Sequence, residues 1–477
     1  MNNKKFLNYH IYLFAIVVLV AATGCEKYVN IKTQGINVPG EYSNYRDLLN
    51  NTSTFERVGA AISDYASDDI QFKDSSSEVN TMLSSDYYAW SINSYRWLDV
   101  IYSPTSAYYY QDDNWNNMYN VITNANIVLT ELPSVTDSSE SAKNELLAEA
   151  LVHRADAYFN LVQTYSKPYN ASTASTDLGV PLILKETTTQ SLKRASVEQT
   201  YSQIITDLKT ALPNLPTTQQ FTTLPSKASA YGELARVYLY MADYTNANAY
   251  ADSALALNSS LNDLSTVSGA ISSANYPVRK NDPEILLSKV VIQGIAYSST
   301  AMRLSDTLLK ELGTKDLRYQ LFTKDGTTVI YDATDTASRY FTKDMSLGEA
   351  RNIGPSVPEM MLIKAEYYAR NNLPADAMTW VNKLRVKRFK AADYVALTAS
   401  GADDALKIVI QERDREFFCR NIRWWDMRRL KDDSRFAETL TRVINGQTYT
   451  LAPTSNRYVF PIAAWNLQLN PEIEPNP

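Results

Sequence analysis

Histidine is almost missing from this chain of 477 residues, which carries only His10 and His153. That scarcity excludes multi-histidine metal sites and argues against a histidine-based nucleophile relay. His153 falls in the strongly helical stretch 143–165, among Ala, Leu and Arg, and reads there as a helix-surface residue. Cysteine is equally scarce, limited to Cys25 and Cys419. Long apolar runs are few as well. One extends from Ile11 to Ala22, and no second run is long enough to span a bilayer.

The one apolar run is informative. Lys4 and Lys5 precede it, its length fits a signal-peptide h-region, and it closes on Ala21-Ala22-Thr23-Gly24-Cys25. Residues 1–24 are therefore expected to be a lipoprotein signal peptide, with Cys25 the lipidated mature N-terminus and 25–40 a linker. Several acyl chains on one residue hold a protein firmly to a membrane. The remainder, 41–477, then works outside the cytoplasm as one domain. With Cys25 acylated, Cys419 has no partner for an intramolecular disulfide and is expected to be a small buried hydrophobe behind Phe417 and Phe418. Losing Lys4 and Lys5 with the signal peptide moves the formal net charge from −6 to −8, so nucleic acid and anionic lipid surfaces are poor partners.

Aromatic residues are plentiful and biased, with 33 Tyr and 7 Trp against 13 Phe. Rings with a polar handle suit half-exposed surfaces that bind flat, hydroxylated ligands, although most single tyrosines pack helices.

Most of the chain reads as helix. The stretches 141–165, 196–212, 226–257, 359–388 and 403–418 place apolar residues three and four apart, with Pro or Gly outside them. Roughly 450 mature residues are too many for one ordinary core, whereas in a helical array each pair packs only on its neighbours. Tyr231, Leu234, Ala235, Tyr238, Ala247 and Ala254 fall at tetratricopeptide offsets, and Ala365, Tyr368 and Ala377 repeat part of that spacing. Ala155 and Tyr158 supply the first half of a third copy. These copies are not in tandem, so the intervening segments must pack over the helical layer. Two stretches break the rhythm. Residues 64–114 hold Asp64, Asp68, Asp69, Trp90, Tyr95, Trp97, Tyr102 and the run Tyr108 to Tyr110, and 270–345 hold Tyr276, Tyr297, Tyr319, Tyr331 and Tyr340 with a strand-like piece from Thr327 to Tyr331. Binding residues gather on loops held by a rigid scaffold.

Near the end, Ala405, Ile408 and Val409 define one helix face that Glu412 and Glu416 continue. Carboxylates on a buried face need partners, and Arg423, Arg428 and Arg429 are the expected ones, with Asp426 holding an arginine in turn. Such a set is a structural ion network rather than a catalytic pair.

Glu412-Arg413, Glu416-Phe417 and the run Arg423-Trp424-Trp425-Asp426-Met427-Arg428-Arg429-Leu430 closely resemble the C-terminal signature of the SusD/RagB family of outer-membrane lipoproteins. Further matches run along the chain: Trp115, Tyr119, Ile122, Ala125 and Asn126; Glu149-Ala150 with Arg154-Ala155 and Tyr158 to Leu161; Gly179 to Leu182; Ser226 to Ala228 with Leu234 to Leu239; Leu362 to Glu366; and Tyr458 to Ile462 with Asn470-Pro471. Two departures stand out. Cys419-Arg420-Asn421-Ile422 replaces the acidic residue and glycine that usually precede the Arg-Trp-Trp-Asp run, and the common glycine-aromatic tail is absent.

The resemblance implies a mainly α, SusD-like domain, with tetratricopeptide-like helix pairs at about 141–257 and 359–388 in a right-handed array and variable loops at 64–114 and 270–345 carrying the binding face. It implies a cell-surface protein of the outer membrane that captures an oligosaccharide or polysaccharide and hands it to a SusC-like TonB-dependent transporter. A peptide-capturing relative, or a transporter lid with little affinity of its own, is the neighbouring alternative. By position Asp68, Trp90, Tyr95, Trp97, Tyr102 and Tyr297 fall in the family's binding regions, with Asp68 as a hydroxyl reader. No catalytic residue, metal or cofactor is expected. A two-carboxylate glycosidase is the competing class, but no pair of acids stands out.

Overall fold

The computed structural model describes residues 40–103, 112–186, 189–291, 302–331, 333 and 335–476. Cys25 and Tyr297, and the run Tyr108 to Tyr110, lie outside them.

The scaffold is built from α1 (Asp113–Glu131), α2 (Glu140–Tyr165), α3 (Val197–Ala211), α4 (Lys227–Tyr240), α5 (Tyr244–Leu257), α6 (Val357–Arg370), α7 (Pro374–Arg385), α8 (Ala402–Phe417) and α9 (Ile422–Leu430). Starts follow local chemistry. Asp112, Ser139, Ser196, Ser226 and Asp243 each accept a backbone N–H of the first turn, and Pro374 opens α7 where no donor is needed. The continuous stretches 226–257 and 359–388 each break into two helices, at Ala242 (φ 60°) and Asn372 (φ 59°), both left-handed residues in equivalent turns. Each helix packs on the next, α1 on α2, α2 on α3, α4 on α5, and α6 on both α7 and α8. Ala235, Ala247, Ala251, Ala254, Ala365 and Ala377 are wholly buried in these seams, and the rings of Tyr238 and Tyr250 stack at 5.5 Å with 3° between their planes.

The array is closed across a long excursion, because α5 packs on α6 although a hundred residues separate them. Segment 285–291 returns beside 352–356, with Leu286 N donating to Pro355 O at 2.9 Å and Ile353 N to Lys289 O at 2.8 Å. Gly354 sits in that seam, where a Cβ would lie 1.9 Å from the Leu287 carbonyl oxygen, so the approach admits only glycine.

Covered on both sides, α2 is buried nearly all round, which corrects the surface reading of His153. Its imidazole is 1% exposed, with Nδ1 2.9 Å from the Lys289 ammonium, which in turn lies 3.2 Å from Asp156. Burial, and then the neighbouring Lys289 and Arg46, hold its pKa well below the ordinary histidine range.

Strands are short and occur among the described residues as pairs: β1 (Arg57–Gly59) with β4 (Val290–Val291), β2 (Leu178–Pro181) with β3 (Arg194–Ser196), β5 (Thr323–Asp325) with β6 (Arg339–Phe341), and β7 (Leu440–Ile444) with β8 (Gln447–Leu451). The strand expected at 327–331 is displaced. Asp325 accepts from Thr328 N and from the hydroxyls of Thr327 and Thr328, which caps a helical turn at Gly326–Val329 and leaves the strand upstream. Buried apolar side chains from Tyr45 to Ile473 form one continuous core. Cys419 is wholly buried within it. No described helix is long and apolar enough to cross a membrane.

The unusual turn before α9 has a local explanation. Cys419 (φ 56°) and Asn421 (φ 61°) are left-handed, the conformation glycine would adopt without strain. Asn421 tolerates it and contributes more, its Nδ2 donating to Ala60 O and Asp64 Oδ1, each at 3.0 Å, and its backbone N to Asp64 Oδ1 at 2.6 Å.

Candidate functional site

The two loop regions meet through backbone pairing. Gln71 N donates to Arg303 O at 3.0 Å and Ser305 N to Asp69 O at 2.8 Å; on the other side Leu304 N reaches Arg339 O at 2.8 Å and Phe341 N reaches Met302 O at 3.0 Å. Segments 69–71, 302–305, β6 and β5 therefore lie side by side. Over this ladder sits the helix Ser77–Leu83, followed by the short turn Asp86–Tyr88 and the helix Ala89–Tyr95.

Three aromatic side chains on these elements keep solvent contact. Tyr87 is 37% exposed, its ring edge-on to half-buried Tyr88 at 5.1 Å. Trp90 is half-buried and stands perpendicular to the buried Tyr65 ring at 5.8 Å. Polar groups accompany them. Arg303 Nε donates to Ser338 Oγ at 2.8 Å, Ser338 N to Asp335 Oδ1 at 3.2 Å, and Tyr340 OH to Asp335 Oδ2 at 3.3 Å. Glu78, half-buried nearby, has one carboxyl oxygen without a partner. Burial, with Arg303 opposing and Asp335 adding, pushes its carboxyl up to about 7. Together these are ring faces flanked by hydrogen-bonding groups, the chemistry that holds a hydroxylated ring.

A carboxyl raised in the folded state stabilises the fold fully below its unfolded pKa, and that contribution is lost as pH rises through the folded value. Glu78→Gln is therefore expected to flatten the decline in urea midpoint between about pH 4.5 and pH 7. Unfolding curves across that window check it, and an unchanged slope would mean that Glu78 stays ionised.

Several expected binding residues are held by the protein itself. Tyr95 and Trp97 are 3% and 6% exposed; the Tyr95 hydroxyl accepts Phe72 N at 3.0 Å and Trp97 Nε1 donates to Ala66 O at 2.9 Å. The Arg442 guanidinium from β7 lies 3.9 Å from the Tyr95 ring centre and 4.2 Å from that of Trp97, and it donates to the carbonyls of Tyr65, Tyr95 and Ser67. Tyr102 is buried beside Asp112, the residue that caps α1. These three rings fasten the loops under the site and present no face to a ligand. Asp68 is likewise engaged, by a bidentate pair with Arg423 at 2.6 and 2.5 Å, and although burial opposes it, Arg423 holds its pKa below the ordinary carboxylate range.

That pair also redraws the ion network. Glu412 and Glu416 are buried on α8, but their partners come from elsewhere: Arg318, Arg385 and Arg415 meet Glu412 at 2.8, 2.7 and 3.2 Å, while Arg318 and Arg388 meet Glu416 at 2.7 and 2.8 Å. Asp426 does hold arginines, Arg413 and Arg429, each at 2.7 Å. Arg429 reaches on to Glu366 at 2.7 Å. Among the described residues Arg428 pairs with no carboxylate; it donates to the carbonyls of Gln163, Ser166 and Tyr458.

Tyr87, Tyr88 and Glu78 did not stand out in the sequence. The signal for the first two was the paired tyrosine behind Ser84-Ser85-Asp86 and beside Trp90. Glu78 carries none. Among the described residues no group of three or more His, Cys, Asp or Glu side chains is arranged to hold a metal ion.

A rigid helical scaffold thus presents an aromatic and polar loop face. The sequence pattern of the family described as "Starch-binding associating with outer membrane" matches residues 41–239, and that of the SusD family matches 357–477. This chain belongs to the SusD/RagB family. SusD-like protein P38 of Formosa agariphila is 23% identical over 76% of this chain and 78% of its own length. Among solved structures, a SusD superfamily protein from Bacteroides thetaiotaomicron superposes with a TM-score of 0.69 at 19% identity, covering 92% of this chain and 100% of that one. A structure described as a laminarin binding SusD-like protein superposes with a TM-score of 0.64, also at 19% identity, over 92% of this chain and 100% of that one.

Proposed function

We propose that this chain is a non-catalytic, lipid-anchored protein of the outer-membrane surface that captures an oligosaccharide or polysaccharide and delivers it to a SusC-like TonB-dependent transporter. The observation that carries the reading is the loop face, where Tyr87, Tyr88 and Trp90 keep ring surface open beside Glu78, Arg303 and Asp335. Membership of a family described as starch-binding and a laminarin-binding structural neighbour support a glycan as ligand. The run ending at Cys25 supports the anchor, and with residues 1–24 removed as its signal the chain from 41 onward is the working domain. Open aromatic sites of this kind bind with roughly micromolar to millimolar affinity.

The test is calorimetry or affinity gel electrophoresis of residues 26–477 against plant, host and microbial polysaccharides beside a peptide mixture. Trp90→Ala and Tyr87→Ala are each expected to weaken binding to one glycan class about tenfold, the share of one stacked ring. Retardation by peptide alone would replace the ligand class. Binding unchanged in both variants would move the site elsewhere.

A further inference from the structure

One large cavity shares no lining residue with the loop face. It is a groove of about 1010 Å³ between the segment after α2, the turn joining α4 to α5, the end of α9, residues 454–459 and the C-terminal tail. That volume is at the upper end of the range for small-ligand sites.

Its walls are fixed by buried hydrogen bonds. Arg428, 1% exposed, forms the floor and ties the end of α2 to residues 454–459 through the carbonyls of Gln163, Ser166 and Tyr458. The tail is fastened by Arg194 to Glu474 O at 3.0 Å and Asn476 Oδ1 at 2.7 Å, and by Asn476 Nδ2 to Phe460 O at 2.7 Å. A site held in this way loses little entropy when it is occupied.

Three of the cations that reach the groove are paired with carboxylates, while Arg428 spends its N–H groups on carbonyl oxygens and Glu474 adds a carboxylate to the lining. Lys167 pairs with Asp177, Lys431 with Asp432 and Arg429 with Glu366, each at 2.7 Å. An anionic ligand would have to compete with those carboxylates. The neutral groups, in contrast, are available. Asn170 accepts from Ser172 through Oδ1 and donates to no described residue, and the Tyr169 hydroxyl and the side chains of Thr454 and Asn456 make no hydrogen bond within the described protein. Asn170, Thr454 and Asn456 are exposed. Tyr169 is steadied from behind by Tyr201, edge-on at 5.1 Å. Amides and hydroxyls that both donate and accept, beside a supported ring, match a ligand whose surface is hydroxyl groups and C–H faces.

We propose that this groove is a second binding site, separate from the loop face, and that it takes a neutral oligosaccharide segment. The site is preformed, and its selectivity against uronic acids follows from the paired Lys167, Lys431 and Arg429, the carbonyl-bound Arg428 and the carboxylate of Glu474.

Hydrogen exchange of residues 26–477 with cello-, laminari- and maltohexaose, and with oligogalacturonate as the anionic probe, tests this. A neutral hexaose is expected to protect 167–178 and 454–459, and to do so equally in Trp90→Ala. Asn170→Ala combined with Asn456→Ala, both exposed positions, is expected to weaken that protection about tenfold or more. Tyr169→Phe, which removes a single hydroxyl, gives a smaller loss in the same direction. Protection confined to the loop regions, or abolished by Trp90→Ala, would overturn the second site while leaving glycan capture intact. Stronger protection by oligogalacturonate would overturn the neutral class, and no protection of the groove by any neutral hexaose would overturn the proposal.

Discussion

Arg318→Met is expected to cost about 3–5 kcal/mol of stability, the range for breaking a buried ion pair from one side. The guanidinium and its partners are shut away from water. Arg318 binds Asp316 at 2.6 Å, Glu412 at 2.8 Å and Glu416 at 2.7 Å, and none of the four side chains is more than 4% exposed. Methionine fills much of the volume but leaves Asp316 without a cation and removes one of the arginines that Glu412 and Glu416 each share. Glu416→Gln should lose less, because Arg388 keeps Glu284 at 2.7 Å. The pH dependence has a definite sign. Burial raises the Glu416 carboxyl, but Arg388 and Arg318 outweigh it and bring it down to about 2. The stabilisation is therefore present above the ordinary carboxylate pKa and is lost as pH falls toward about 2. Urea unfolding of Arg318→Met against the parent chain measures the effect, and a loss under about 1 kcal/mol would mean that water relieves the stranded carboxylate.

Arg442→Ala is expected to cost about 3 kcal/mol or more and to abolish ligand binding at the loop face along with it. The side chain reaches from β7 across to the carbonyls of Tyr65, Ser67 and Tyr95, between the rings of Tyr95 and Trp97. Burial brings its pKa down to about 10, still charged at any pH the fold meets. Truncation removes a buried donor from the carbonyls of Tyr65, Ser67 and Tyr95 and the cation from two aromatic neighbours. The helix carrying Trp90 ends at Tyr95, so its position depends on this contact. Lysine at 442 keeps the charge but not the fork, and should recover part of the stability and less of the binding. A variant that unfolds at the parent's urea midpoint, or that binds glycan as the parent does, would show that the loops are held without it.

The limits of reading by pattern are clear in α8 and its surroundings. Spacing along one helix placed Glu412 and Glu416 on a buried face, because helix periodicity is a local property. Proximity in sequence points to arginines at 423–429 as their partners, whereas Arg318 arrives from nearly a hundred residues upstream. The same holds for Asp68. Its position in the family's binding region suggests a hydroxyl reader, and nothing local in sequence records that Arg423, 355 positions away, pairs with it.

Periodic alanines, serine and aspartate caps, and the Arg-Trp-Trp-Asp run were enough to determine the helical array and the family, since capping and helix packing depend on residues within a few turns of one another. Asn445-Gly446, both left-handed at the tip of the β7–β8 hairpin, was an equally local signal. Which aromatic rings stay open was decided only by tertiary structure. Tyr95 and Trp97 differ little from Tyr87 and Trp90 in sequence context, yet Phe72, Ala66 and Arg442 from elsewhere in the chain close over the first pair while the second keeps solvent contact. Exposure is set by what arrives from elsewhere in the chain, and local sequence does not record that.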